Sequence, residues 1–130
     1  MTGLFDKVTM GDVTLENRIL MAPLTRNRAQ SDGTPKDMAI DYYTQRATAG
    51  LIISEATQIS ALGKGYVDTP AIYTPSHVEG WKKITQAVQQ KGGKIFCQLW
   101  HVGRISHKSL LPEGEQPLSS TDKRAEAQTV

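Results

Sequence analysis

The sequence predicts an α/β fold, the N-terminal part of a (β/α) barrel. Three observations point there. Two helix-like segments alternate with three short apolar runs, giving β-α-β-α-β over residues 18–100. The apolar runs are nearly continuous, as strands of a parallel sheet are when helices cover them. The connections are lopsided. Each helix meets the next strand almost at once, at Gly50 or Gly92-Gly93, while each strand is followed by a long loop, at 25–33, 58–73 and from 101 onward. Length is concentrated at the C-terminal ends of the strands, where α/β proteins build their sites.

The elements run in this order. Residues 4–15 read as two short strands joined at Gly11-Asp12, a hairpin turn pair. "RILMAPL", 18–24, is an apolar run suited to a buried strand. Residues 34–50 carry helix punctuation: Thr34 to cap, Pro35 for the first helical position, Asp37 in the first turn and Gly50 to end it. Met38, Tyr42 and Ala49 are the expected buried face. "LIISEAT", 51–57, is the next strand. Residues 74–93 repeat the helix punctuation, with Val78, Trp81, Ile84 or Thr85, and Val88 as the stripe and Gly92-Gly93 as the stop. "KIFCQLW", 94–100, is the third strand, and 101–130 reads as loop.

Two other nucleotide folds lack their signatures. A dinucleotide-binding sheet wants G-x-G-x-x-G after its first strand, and "APLTRNRAQSDG" does not supply it. "GKGYVD", 63–68, has no G-K-[ST] and is not a P-loop. A barrel therefore leads and a doubly wound sheet follows. A closed barrel of this kind needs about 250 residues. Three strands and two helices leave open sheet edges and a half-covered core. The expectation is that residues 1–130 form the N-terminal part of a single barrel domain. A second chain or another copy of this one would complete it, unless the rest has been lost.

Composition narrows the function classes. With 38% apolar and 22% charged residues the chain reads as globular. A net charge of +2, with Lys and Arg scattered, argues against nucleic acid or an anionic membrane as partner. One cysteine makes no internal disulfide, and no signal pattern or 18-residue apolar run is visible, so the default location is the cytoplasm.

The polar residues of chemical interest gather in "FCQLWHVGR", 96–104. Strand alternation puts Ile95, Cys97 and Leu99 on a helix-packing face, and Phe96, Gln98 and Trp100 on the barrel's inner face. An amide just below an indole suits a planar ligand. The same Gln98 amide also suits backbone groups in a core, and alternation does not choose. Cys97, His101 and His107 invite a metal reading, but their spacing is wrong for one and no metal is expected. His101 reads as a hydrogen-bonded residue at a strand end, and His77 as solvated. Pro23, Leu24 and Thr25 leave the top of the first strand, where a hydroxyl beside a peptide N–H can hold a carbonyl or ring nitrogen, or simply end the strand. Ala56 leaves room for a flat ligand. Glu55, within an apolar run, needs a partner. Tyr66 either lines a pocket or packs its loop. Arg26, Arg28 and Arg104 are free for anions or ion pairs.

Four blocks in order, "LFDKVTMGDVTLENRILMAPLTRNRA", "YYTQRATAGLIISEATQIS", "GYVDTPAIYTPSHVEGWKKIT" and "QLWHVGRISH", resemble the old yellow enzyme family of flavin-dependent ene-reductases. The resemblance implies a TIM (β/α)8 barrel with a β-hairpin closing its bottom. It implies FMN at the C-terminal mouth, and hydride passed from NAD(P)H through the flavin to an activated C=C bond of an enone, enal or maleimide. Carried onto this sequence, Pro23, Leu24 and Thr25 lie along the flavin ring, Ala56 offers a backbone contact and Gln98 reads the pyrimidine edge. Trp100 and Tyr66 are walls of the substrate pocket. Thr at 25 with Trp at 100 suggests the branch that has no Cys at the first of these places. The family's substrate-gripping donors, its proton-donating Tyr, its basic residue near the ring and its phosphate loops belong to later strands. No catalytic residue is therefore assigned here, and the chain alone should bind FMN poorly. Two alternatives stand beside the split reductase. One is a non-catalytic remnant or binding module of the same fold. The other is a dienoyl-CoA reductase or amine dehydrogenase relative.

Overall fold

The computed structural model describes residues 3–126. It opens on an antiparallel hairpin, β1 (Val8–Met10) and β2 (Val13–Leu15), in which Met10 faces Val13 across the turn. Gly11 turns at φ 56°, a left-handed value that glycine adopts without a Cβ penalty. The Thr9 and Thr14 hydroxyls meet across the strands, and Lys7 pairs with Glu16 beyond them.

The sheet that follows is parallel, in the order β3 (Leu20–Met21), β4 (Leu51–Ile53), β6 (Ile95–Phe96). Its partners are Met21 with Ile52 and Ile52 with Ile95. A second parallel pair, β5 (Thr57–Gln58) with β7 (Leu99–Trp100), continues the same two strands upward. The β-α-β-α-β order is as the sequence predicts, but the strands are shorter and broken. Between the two pairs, Ser54, Glu55 and Ala56 oppose only Cys97 and Gln98. That is a bulge, and the Ser54 hydroxyl fills it by accepting from the Gln98 N–H. The first strand stops at Met21 because Pro23 has no N–H to offer a ladder.

Helix α1 (Met38–Thr44) is much shorter than the predicted 34–50. Thr34 does not cap it. Its N–H and hydroxyl both donate to the Asp32 carboxylate in a preceding turn. Pro35 instead packs against α2 (Pro75–Gln90), where a Cβ on Gly80 would come 2.9 Å from the Pro35 ring. The buried face of α1 is also shifted by one residue. Ala39 and Tyr43 are buried, and Ala47 follows in the turns after the helix, while Met38 is 55% exposed and Tyr42 half-buried. Adjacent tyrosines satisfy either face in sequence; the tie of Tyr43 to Glu55, described below, decides.

Helix α2 matches its prediction more closely. Thr74 accepts from the His77 N–H, and His77 Nδ1 accepts from the Thr74 N–H, a reciprocal cap. His77 is therefore not solvated: it is buried, with Nε2 2.9 Å from the Asp32 carbonyl. Trp81, Ile84 and Val88 form the stripe, and Val78 lies outside it, exposed. Together with Ala39, Tyr43, Ala47 and Ile52 they make the core, with Met21 and Ile95 packed at its edge. The core lies between the sheet and the two helices. Ile95 takes the packing role expected of it. Cys97 and Leu99 do not; both are exposed, because the core reaches the third strand only at Ile95. Beyond residue 100 the chain is loop with three short 3-10 turns, as expected, and residues 127–130 of that segment lie outside the described residues. Among the described residues no helix is long and apolar enough to cross a membrane.

Candidate functional site

The C-terminal ends of the three strands are stitched together by buried polar groups. Glu55 is the centre. Arg26 reaches it from the end of the first strand, its Nε donating to Oε1 at 3.1 Å, its backbone N–H to Oε2 at 3.4 Å and its Nη2 again to Oε1. Side-chain exposures of 15% and 4% make this a largely desolvated pair. Tyr43 adds a third member: its hydroxyl accepts from the Glu55 N–H at 2.9 Å and donates to Oε1 at 3.4 Å. Burial, and then the Glu55 carboxylate, push the Tyr43 phenol well above the usual tyrosine range. The Arg26 guanidinium also lies 3.7 Å from the Tyr42 ring centroid, a cation–π contact that Arg46 makes from further out. Glu55 is thus paired and structural, as its place in an apolar run requires.

These ties carry the predicted site residues with them. Thr25 precedes Arg26, and Ala56 follows Glu55. Gln98 is held at both backbone groups, its N–H on Ser54 Oγ and its carbonyl accepting from the Thr57 N–H at 2.8 Å. Thr25, Ala56 and Gln98 therefore stand at the ends of three neighbouring strands. Ala56 is buried; Leu24, Thr25 and Gln98 are exposed, and Pro23 is half-buried. Among the described residues the Gln98 carboxamide and Thr25 hydroxyl make no hydrogen bond to the protein, so both are available to a ligand. Gln98 is exposed, and among the described residues its carboxamide satisfies no backbone group.

Tyr66 and Trp100 are brought face to face, ring centroids 5.5 Å apart and planes 20° from parallel. Their loops are locked to each other. The Val102 N–H donates to the Gly63 carbonyl at 3.3 Å, and a Cβ on Gly65 would lie 2.5 Å from Val102. Only glycine lets the backbone lie so close. Gln58 Nε2 donates to the Thr69 hydroxyl at 2.7 Å, and that hydroxyl donates to the Tyr66 carbonyl at 3.1 Å. The loop after the first strand joins in through Ala29 N–H to Asp68 O at 2.9 Å. The Gln58–Thr69–Tyr66 relay escaped sequence reasoning, because an amide in an apolar strand carries no spacing signal; Gln58 being 2% exposed is what identifies it.

The remaining candidates disperse. His101 Nδ1 accepts from the Gly103 N–H, the strand-end role expected of it. Arg28 reaches the carbonyls of Arg26 and Asn27. Among the described residues no three His, Cys, Asp or Glu side chains cluster as metal ligands. The geometry suits a flat, polar-edged ring system. A free amide and a free hydroxyl follow the two outer strands, β6 and β3, with the small Ala56 after the strand between them and the Tyr66–Trp100 stack on the adjoining loops.

Residues 3–129 match the model of the NADH:flavin oxidoreductase / NADH oxidase family. The chain is 49% identical over 116 residues to 12-oxophytodienoate reductase 1 of Oryza sativa subsp. japonica, covering 88% of this chain and 30% of that protein. It is 48% identical over 124 residues to flavin oxidoreductase hxnT of Emericella nidulans, covering 92% and 32%. Among solved structures it superposes on morphinone reductase in complex with tetrahydroNAD with a TM-score of 0.94 at 50% identity, over 97% of this chain and 34% of that one. The old yellow enzyme homologue of Zymomonas mobilis gives a TM-score of 0.92 at 48% identity, over 97% and 35%. The chain spans about a third of the length of the curated relatives it matches.

Proposed function

The chain belongs to the NADH:flavin oxidoreductase / NADH oxidase family, that of the old yellow enzymes, and from that premise we propose that it forms the flavin-facing N-terminal third of an FMN-dependent ene-reductase. The observation that carries this reading is the juxtaposition of Thr25, Ala56 and Gln98 at adjacent strand ends beside the Tyr66–Trp100 stack.

FMN, when bound, supplies the hydride chemistry, taking reducing equivalents from NAD(P)H for an activated C=C bond of an enone, enal or maleimide. The chain's own residues bind and orient. Thr25 donates its hydroxyl to a ring carbonyl and so favours electron density there. Gln98 presents a donor and an acceptor side by side to the pyrimidine edge. Pro23 and Leu24 line the ring, and Ala56 lets the backbone approach it. Tyr66 and Trp100 wall the substrate side and exclude water from it.

The same reading gives the exposed apolar surface a purpose. Leu20, Phe96 and Leu99 are 42%, 50% and 64% exposed on the outer strands of the sheet. A complementary polypeptide carrying the remaining barrel strands covers them, and the hairpin of β1 and β2 closes the bottom. A cytoplasmic location goes with this reading. The test is native mass spectrometry of the purified protein with the flavin absorbance of the same sample. A second polypeptide with one FMN per pair supports the split reductase. This chain alone, folded and without flavin, sinks it in favour of a non-catalytic module.

A further inference from the structure

The peptide between Glu55 and Ala56 is held by side chains. Its carbonyl accepts from two hydroxyls, Ser54 Oγ at 2.9 Å and Thr57 Oγ1 at 2.8 Å. Ser54 and Thr57 are both wholly buried. A carbonyl oxygen has two lone pairs, so this one is saturated. The N–H of the same peptide belongs to Ala56, and among the described residues it has no partner. Ala56 is only 7% exposed, and a buried N–H without a partner is rare.

The bulge explains how this arises. Ser54, Glu55 and Ala56 oppose two residues there, so the ladder cannot serve all three. The Glu55 N–H turns to the Tyr43 hydroxyl at 2.9 Å. The Ser54 hydroxyl donates to the Glu55 carbonyl and accepts from the Gln98 N–H at 3.2 Å. A trans peptide is planar and holds its N–H opposite its C=O. Two hydroxyls on the oxygen therefore fix the direction of the N–H. They also polarise it, because hydrogen bonds in a chain strengthen one another. The result is a fixed, strengthened donor that nothing in the described chain receives, at a strand end between those that lead to Thr25 and Gln98.

We propose that Ser54 and Thr57 are positioning residues for the flavin. Their hydroxyls clamp the Glu55–Ala56 peptide so that its N–H donates to the flavin ring, and most strongly to the reduced ring, which carries more electron density. The proposal rests on the reading of the chain as part of an FMN-dependent reductase. It adds to that reading two buried side chains that touch no ligand themselves and set the flavin's potential through a backbone group.

The test is redox titration of the purified flavin-bound protein, with whatever polypeptide accompanies it, against a reference dye. Thr57→Val keeps the shape and removes one hydroxyl; Thr57→Ser keeps the hydroxyl. Thr57→Val should lower the midpoint potential. The reduced-to-oxidised ratio at a fixed dye potential should change about tenfold, which is about 30 mV for a two-electron couple. Thr57→Ser should keep the parent value. Ser54→Ala should shift the potential in the same direction, and it carries the test if circular dichroism shows Thr57→Val unfolded. A hydroxyl that only supports the fold would weaken binding of oxidised and reduced FMN alike, so the dissociation constant would rise with the potential unmoved. An unmoved potential in folded, flavin-bound variants therefore overturns the proposal and leaves the flavoenzyme reading standing. So does a Thr57→Ser variant that shifts as far as Thr57→Val. Protein that neither carries FMN nor takes it up when it is added overturns both, and the flavin absorbance of the same sample tells the two failures apart.

Discussion

The two faces of the sheet are built on different terms. On one, Met21, Ile52 and Ile95 form a row across the three strands, roofed by Tyr43, Trp81, Ile84 and Val88 from the helices. Ile52 and Val88 are wholly buried. On the other, Phe96 is the neighbour of Ile53 in register and stands half exposed. The helix-covered face completes itself with residues close in sequence. The other holds side chains of the same chemistry that gain little from the chain's own fold. Apolar character alone therefore does not make a core. Burial does, at about 25 cal/mol per Å² removed from water.

Substitutions separate these regimes, and the largest effect belongs to neither face but to the polar tie above them. Glu55→Ala strips the charge partner from Arg26 and the carboxylate that accepts from the Tyr43 hydroxyl, and should cost about 3–5 kcal/mol in urea unfolding, as loss of one partner of a buried pair does. Ile84→Ala on the covered face should cost about 2–5 kcal/mol by the same measurement, through the cavity it leaves. Thr74→Ala removes the α2 cap and should cost about 1 kcal/mol. Leu99→Ala on the open side should cost no more than about 0.5 kcal/mol in the isolated chain. A large loss there would break the comparison, and a loss seen only in the presence of a barrel-completing chain would sharpen it.

The covered face should also respond to alkali. The Tyr43 phenol has a higher pKa folded than unfolded, because the core and Glu55 disfavour its anion. Its contribution is therefore fully present below about pH 10, the unfolded value, and is lost as pH rises further. Unfolding free energy should fall above that pH, and Tyr43→Phe should flatten the fall. An equal fall in the variant would assign the effect elsewhere.

Helix α2 was legible because its signals are local: Thr74, Pro75, a stripe and Gly92 lie within twenty residues. The hairpin was legible for the same reason. The start of α1 was not, because Thr34 spends its hydroxyl on Asp32, two residues back, and no pattern says which way a threonine will turn. His77 looked solvated because its second partner, the Asp32 carbonyl, is 45 positions away in sequence. In the candidate site, strand alternation set Gln98 and Trp100 together on the inner face, away from the helices, and the family resemblance supplied roles for Thr25, Ala56 and Tyr66. The Arg26–Glu55–Tyr43 tie spans 29 and 12 positions. Sequence could say that Glu55 needed a partner but not which of several arginines would serve.

The unequal count at the bulge, three residues against two, has a consequence for how such a chain can vary. Alternation must slip by one residue in at least one strand there. The side-chain rows below the slip, which must satisfy the helices, are thereby out of phase with those above it. The upper tier is released from the hydrophobic rhythm of the lower one. Glu55, Thr57 and Gln58 can be polar and fully enclosed without interrupting any row that packs under α1 and α2. The sheet behaves as two storeys on one set of strands. The lower storey is tuned for cohesion and the upper for chemistry, and selection can rewrite the upper without disturbing the lower.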